Sequence, residues 1–280
     1  MKKLIQYIGI AILLSISVIA CNLEKEVEIV LPAYERQYVV ECYLEPGKPF
    51  NLLLTKSSSY FDSISLDPAK YLKDLLADSA KVTITHNGVV HELKETLYID
   101  PTTNKLGNYA SQDLVPADYT NEFVLKIVTK EGKLINGVTK ILPIVKIDSI
   151  AVEYQDTFAR VLTYLTDSKL TEDYYRRVLN EGSLDSLPRQ DFANDDKLYD
   201  TELVAYGTGY NYVKGDTIFN TIFHMTKDYF DFFRTINIAK ASNGNIIAQP
   251  STITSNVSGS ANPIGIFTGL SYDRKMTIIK

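Results

Sequence analysis

Hydrophobic residues recur at every second position through much of this chain, a period that predicts strands. In Tyr38-Val39-Val40-Glu41-Cys42-Tyr43-Leu44, the side chains of Val40, Cys42 and Leu44 fall on one face, and Cys42 reads as a small buried hydrophobe. Similar runs at 49–55, 81–86, 89–94, 123–129 and 134–142 are separated by turn chemistry in Pro46-Gly47, Asn87-Gly88 and Glu131-Gly132. A second series occupies 150–155, 160–165, 174–179, 203–206, 217–225, 265–270 and 276–279. Helical spacing is confined to two places. Asp67-Pro68 opens a short helix with Leu72, Leu75 and Leu76 on its apolar face, Asp67 capping it and Pro68 at its first position. Residues 227–240 place Phe230, Phe233 and Ile236 on one face behind a Thr226 cap. The fold class expected is therefore mainly β: an N-terminal Ig-like or transthyretin-like β-sandwich over 36–147, then a second antiparallel β domain over 148–280 carrying one helix.

The first twenty residues break the alternation. Lys2 and Lys3 precede an apolar run from Leu4 to Ile16, and Val18-Ile19-Ala20-Cys21 sets a small residue before cysteine. This is the pattern of a lipoprotein signal peptide at 1–20, cleaved so that Cys21 becomes the lipidated N-terminus. The competing reading is a membrane-spanning helix, but Leu4 to Ala20 is at the short limit for one. Glu24, Glu26 and Glu28 then make 21–35 an acidic tether, where a stop-transfer segment would carry positive charge. That acidic cluster after the lipidated cysteine resembles the surface-export tether of Bacteroidota lipoproteins, and the resemblance implies a location at the outer membrane, lipid-anchored and exposed at the cell surface.

Charge excludes one class of partner. The chain carries 29 Lys+Arg against 34 Asp+Glu, for a net charge of −5, and cleavage would remove only Lys2 and Lys3 and take it to −7. No basic stripe offers itself to phosphates, so nucleic acid is not an expected partner. With Cys21 lipidated, Cys42 has no disulfide partner. Nineteen tyrosines and no tryptophan agree with strand-rich structure.

No nucleophile elbow, zinc-protease helix, phosphate loop or dinucleotide fingerprint occurs, and neither an enzyme nor a cofactor is expected. His86 and His91 flank the Asn87-Gly88 turn and project from one face, but two imidazoles fall short of a metal site. Asp191, Asn194, Asp195, Asp196 and Asp200 read as an oxygen-rich loop without the ligand spacing of a calcium hand. Asp173-Tyr174-Tyr175-Arg176-Arg177 reads as a strand with a charged outer face. Two stretches suit partner contact: Ser57-Ser58-Ser59-Tyr60-Phe61, and Tyr206-Gly207-Thr208-Gly209-Tyr210-Asn211-Tyr212. The candidate contact residues are Tyr60, Phe61, Tyr206, Tyr210 and Tyr212, with packing over sheet edges as the competing reading.

Several short motifs, taken in order, carry a resemblance. They are Cys21 in its signal context, Tyr38-Val39-Val40-Glu41, Leu52-Leu53-Leu54-Thr55-Lys56-Ser57 leading to Tyr60-Phe61, a Gly107-Asn108-Tyr109 turn, Ile147-Asp148-Ser149-Ile150, and Ser255-Asn256-Val257 before Gly265-Ile266-Phe267. The chain resembles an outer-membrane lipoprotein family of the Bacteroidota that is known only as a domain of unknown function and is typically encoded beside a TonB-dependent receptor. Where that family has a glycine after Val-Glu, this chain has Cys42. The resemblance implies a non-catalytic accessory lipoprotein whose partner is a TonB-dependent receptor of β-barrel form and whose role is to assist substrate capture. A structural or adhesive surface protein is the alternative, and a hydrolase using the Asp191–Asp200 carboxylates is third.

Overall fold

A computed structural model describes residues 35–58, 67–99, 105–198, 202–242 and 252–280. Cys21, the acidic tether up to residue 34, Tyr60 and Phe61 lie outside these residues.

The first body is built from β1 (Tyr38–Leu44), β2 (Pro49–Lys56), α1 (Pro68–Leu75), β3 (Lys81–His86), β4 (Val89–Ile99), β5 (Leu106–Leu114), β6 (Glu122–Val128) and β7 (Leu134–Lys140). Inward residues alternate along β1, where Tyr38, Val40, Cys42 and Leu44 are buried, and likewise along β3, where Val82, Ile84 and His86 are. The turns follow their chemistry. Gly47, Asn87, Gly88 and Gly132 all have positive φ, which glycine and asparagine adopt at least cost. At the head of α1, Asp67 accepts from the Ala69 N–H at 3.0 Å, though Leu72 of the expected apolar face remains exposed.

The remaining strands are β8 (Ile147–Gln155), β9 (Phe158–Thr166), β10 (Tyr174–Glu181), β11 (Gln190–Asp195), β12 (Leu203–Gly207), β13 (Thr217–Met225), β14 (Val257–Ser258), β15 (Ile264–Gly269) and β16 (Ser271–Ile278), with α2 (Lys227–Ser242) after β13. Strands β11-β10-β13-β16 form one antiparallel sheet and β12-β9-β8 another. Residues from both, including Tyr175 and Ile222 of one and Leu165 and Val204 of the other, share a core. Three strands facing four make a second sandwich of immunoglobulin-like kind.

The connection from β13 to β16 departs from that plan. It carries α2 and then sends β14 and β15 into the first body, whose sheet runs β14-β7-β6-β3-β4-β5-β2-β1-β15. Strand β15 pairs in parallel with β1, from Val39 opposite Ile264 to Leu44 opposite Gly269. At the other end β14 pairs with β7, through Val257 and Gly137. Ile141 belongs to the first core cluster and Ile147 to the next. Val257, Ala261 and Phe267 nevertheless return to the first cluster, so the first body is completed by residues from the far end of the chain.

Three expectations of local structure are corrected. Gly107-Asn108-Tyr109 is strand, not turn: it lies in β5, and Asn108 and Tyr109 are buried. The Asn108 side chain accepts from the Leu54 N–H at 2.7 Å and donates to the Leu54 and Ala77 carbonyls at 3.0 Å each, answering backbone groups beside the irregular β2–β5 register. Part of the oxygen-rich loop is also strand, because β11 pairs with β10 from Gln190 to Asp195. Finally, Arg177 does not share an outer face with Arg176; alternation turns it inward, where it is fully buried.

Candidate functional site

The two sandwiches leave a cleft of about 310 Å³ whose walls come from both. From the second body, alternation along β10 turns Arg176, Val178 and Asn180 outward, while β13 supplies Thr221 and Phe223 and β16 supplies Tyr272 and Arg274. From the first come Glu45, at the end of β1, and Lys105, just before β5. An adjoining cavity of about 180 Å³ is lined by Glu41 and Tyr43 and shares Glu45, Lys105 and Leu270 with the larger one. Leu270 is the single residue between β15 and β16, so the strand that joins the bodies also positions this groove.

Cations and aromatic rings alternate around the groove. Lys105 Nζ sits 4.0 Å from the centroid of the Tyr43 ring, and Tyr43 meets Tyr229 of α2 edge-to-face at 5.8 Å. The Tyr229 hydroxyl accepts from Arg176 at 2.8 Å. Arg176 also makes a two-pronged ion pair with Asp191, at 2.6 and 2.7 Å, and lies near the Phe223 and Phe233 rings. Burial pushes the phenols of Tyr43 and Tyr229 above the ordinary tyrosine range, so both remain neutral hydrogen-bonding groups. At the far wall, Tyr272 donates to Glu45 at 2.9 Å and carries Arg274 over its ring at 4.9 Å. Rings hold guanidinium and ammonium groups without cancelling their charge, and this suits a binding surface.

A second polar cluster lies where β9, β11 and β13 end and β10 begins. Carboxylate oxygens of Asp167, Asp173 and Asp196 fall within 4.8 Å of one another, a set that could hold a cation. Each is bound from within the protein: Tyr175 donates to Asp167, Thr171 to Asp173 at 2.6 Å, and the Asp173 N–H to Asp196 at 2.9 Å. His224 bridges Asp173, 3.0 Å from Nε2, and the Pro143 carbonyl, 2.8 Å from Nδ1. Desolvation, followed by the like charges of Asp173 and Asp196, raises the Asp167 pKa. The arrangement ties the 141–147 connection to the second sandwich.

The residues singled out in the sequence fall elsewhere. Tyr206 and Tyr212 are buried core residues of the second sandwich, not surface contacts: Tyr206 points inward from β12, and Tyr212 is held by a bridge to Ala159. Of that loop's tyrosines only Tyr210 is half-exposed, beneath Arg160 at 5.1 Å. The hairpin histidines are separately engaged. His86 stacks on Phe123 at 3.9 Å and lies 3.2 Å from Asp118, whereas His91 stacks on Phe50 and pairs with Asp113 at 2.8 Å. Asp191 serves Arg176, and Asp200 lies outside the described residues. The groove residues went unread because they come from separated segments; the available signal was the shared parity of 176, 178 and 180 on β10.

Comparison with known proteins adds a family and a distant likeness. No curated protein matches the chain. Among solved structures, one described as "Cytokine receptor complex - Crystal form 1A" is similar over 68% of this chain and 85% of its own, at 7% identity and a TM-score of 0.26. The model of one family matches residues 24–276, and the chain belongs to that family, the domain of unknown function DUF4249.

Proposed function

We propose that the protein is a lipid-anchored, non-catalytic binding subunit of the outer membrane, which holds a small ligand in the groove between its sandwiches and works beside a TonB-dependent receptor. The observation that carries the binding role is the groove itself. Its volume reaches the range of small-molecule sites, and its lining combines apolar surface with a few oriented polar groups. Support for the membrane placement comes from the sequence: basic Lys2 and Lys3, the apolar run, and Ala20-Cys21 before an acidic tether. A lipid chain together with a tether would keep a ligand-binding body beside a barrel and raise its effective concentration there.

Purification of the native protein from membranes in mild detergent tests the association: a β-barrel receptor is expected in stoichiometric amount. A chain that runs alone overturns it, and altered surface attachment in a deletion strain with unimpaired growth would assign an adhesive role instead. Anchoring is tested separately through Cys21→Ser, which should abolish palmitate labelling and signal cleavage. Unchanged labelling would refute lipidation.

A further inference from the structure

We propose that the groove takes a small organic carboxylate, its anionic group seated on Arg274 and its apolar body lying along Leu184, Pro188, Phe223 and Leu270. The inference rests on the reading of the groove as a ligand site and adds the class of ligand.

Arg176 and Arg274 both line the larger cavity, but they are held differently. Arg176 is committed on every side, to Asp191 through two nitrogens and to Tyr229 through the third. Arg274 is oriented without any carboxylate. Its Nε donates to Thr221 Oγ1 at 2.9 Å, and its guanidinium lies over the Tyr272 ring, which is itself fixed by the Glu45 bond. Among the described residues Arg274 forms no ion pair, and its two terminal nitrogens donate to no protein acceptor. A half-buried guanidinium fixed at Nε and across its face still has its terminal N–H groups to offer, the geometry that planar carboxylates accept.

The rest of the cavity sets the shape and charge of the ligand. Leu184, Pro188, Phe223 and Leu270 give it an apolar floor, while Asn180 and Ser186 place polar groups on one wall. Glu45 and Asp185 also line it and would repel a doubly charged group, so a singly charged carboxylate fits better than a phosphate monoester.

Titration calorimetry on the purified full chain, with N-acetylphenylalanine, its uncharged carboxamide and phenyl phosphate as probes, tests this. The acid should bind about tenfold more tightly than the carboxamide, as expected for one charge-assisted two-pronged contact, and more tightly than phenyl phosphate. Arg274→Gln should abolish the preference for the acid. Thr221→Val, which keeps the charge but releases Nε, should reduce it severalfold and serves if the arginine variant fails to fold. Equal binding of acid and carboxamide would overturn the carboxylate assignment while leaving the groove a ligand site. Tighter binding of phenyl phosphate, or a preference that survives both substitutions, would also overturn it. If none of the probes binds, the proposal fails, whereas the receptor association is decided independently by purification.

Discussion

The side chain of Asn256 closes both backbone groups of Phe267: its Oδ1 accepts the Phe267 N–H at 2.9 Å, and its Nδ2 donates to the Phe267 carbonyl at 2.8 Å. Strand β15 has β1 along one side only, and on the other Asn256 stands in for a neighbouring strand. Ser255 adds to this by accepting the Gly265 N–H at 3.1 Å. Replacing Asn256 by alanine strands a donor and an acceptor beside the core. A loss of about 2–4 kcal/mol is expected, measured by urea unfolding. A loss under about 0.5 kcal/mol would show that water replaces the amide.

Gly265 lets β15 approach β1. Its φ is +138°, and a Cβ built there would lie 1.9 Å from the Val40 carbonyl oxygen, a backbone atom that cannot swing aside. Gly265→Ala should therefore cost about 3 kcal/mol or more. By contrast Gly47, with φ of +80° and nothing within 4 Å of a built Cβ, should lose only about 1 kcal/mol as alanine. Equal losses at the two positions would remove the argument from close approach.

Glu131 makes part of the stability dependent on acid. It accepts from Tyr38 and from Lys56, the latter at 3.2 Å. The Tyr38 bond, followed by its own backbone N–H, lowers the Glu131 pKa from 4.5 to about 2. Because the folded value lies below the unfolded one, the contribution is present above 4.5 and disappears as pH falls toward 2. The gap in urea midpoint between the protein and Glu131→Gln should narrow across that window. A gap independent of pH would refute the assignment. The carboxylate is 47% exposed, so solvent keeps the effect small.

Arg177 occupies the interior of the second sandwich with only neutral partners: Gln190 at 2.9 Å, the Asn220 side chain at 3.0 Å, the Gly207 carbonyl at 3.1 Å and Thr163 at 3.4 Å. Burial lowers its pKa to about 10. Arg177→Lys keeps a cation yet cannot reach four acceptors at once, so about 3 kcal/mol of destabilisation is expected in thermal or urea unfolding. A lysine variant as stable as the parent would show that the forked geometry contributes nothing.

Much of the fold was legible because alternation is a local property. The bounds of β1, β3 and β13 coincide with those read from periodicity. Strands β5 and β11 were missed because Leu-Gly-Asn-Tyr-Ala-Ser-Gln-Asp-Leu and Gln-Asp-Phe-Ala-Asn-Asp are polar and lack a clean apolar face. They are strands because a neighbour's backbone pairs with them. Tyr206 and Tyr212 stayed open between contact and packing for the opposite reason: glycine spacing looks like a recognition loop, but whether a tyrosine faces solvent or core depends on the sheet opposite, and these two are buried. In the groove, Glu45 and Tyr272 meet across 227 residues, a separation no window of sequence spans.

The sequence alone determined the mainly β class, most strand positions, the turns at Pro46-Gly47 and Asn87-Gly88, and both helices, since steric preference and side-chain period act over a few neighbouring residues. Tertiary structure alone decided that β15 returns to lie parallel to β1, that Arg177 is enclosed while Arg176 and Arg274 face a groove, and that Tyr206 and Tyr212 pack inside. Strand pairing and burial are settled by what lies opposite in space, and each partner here comes from a distant part of the chain.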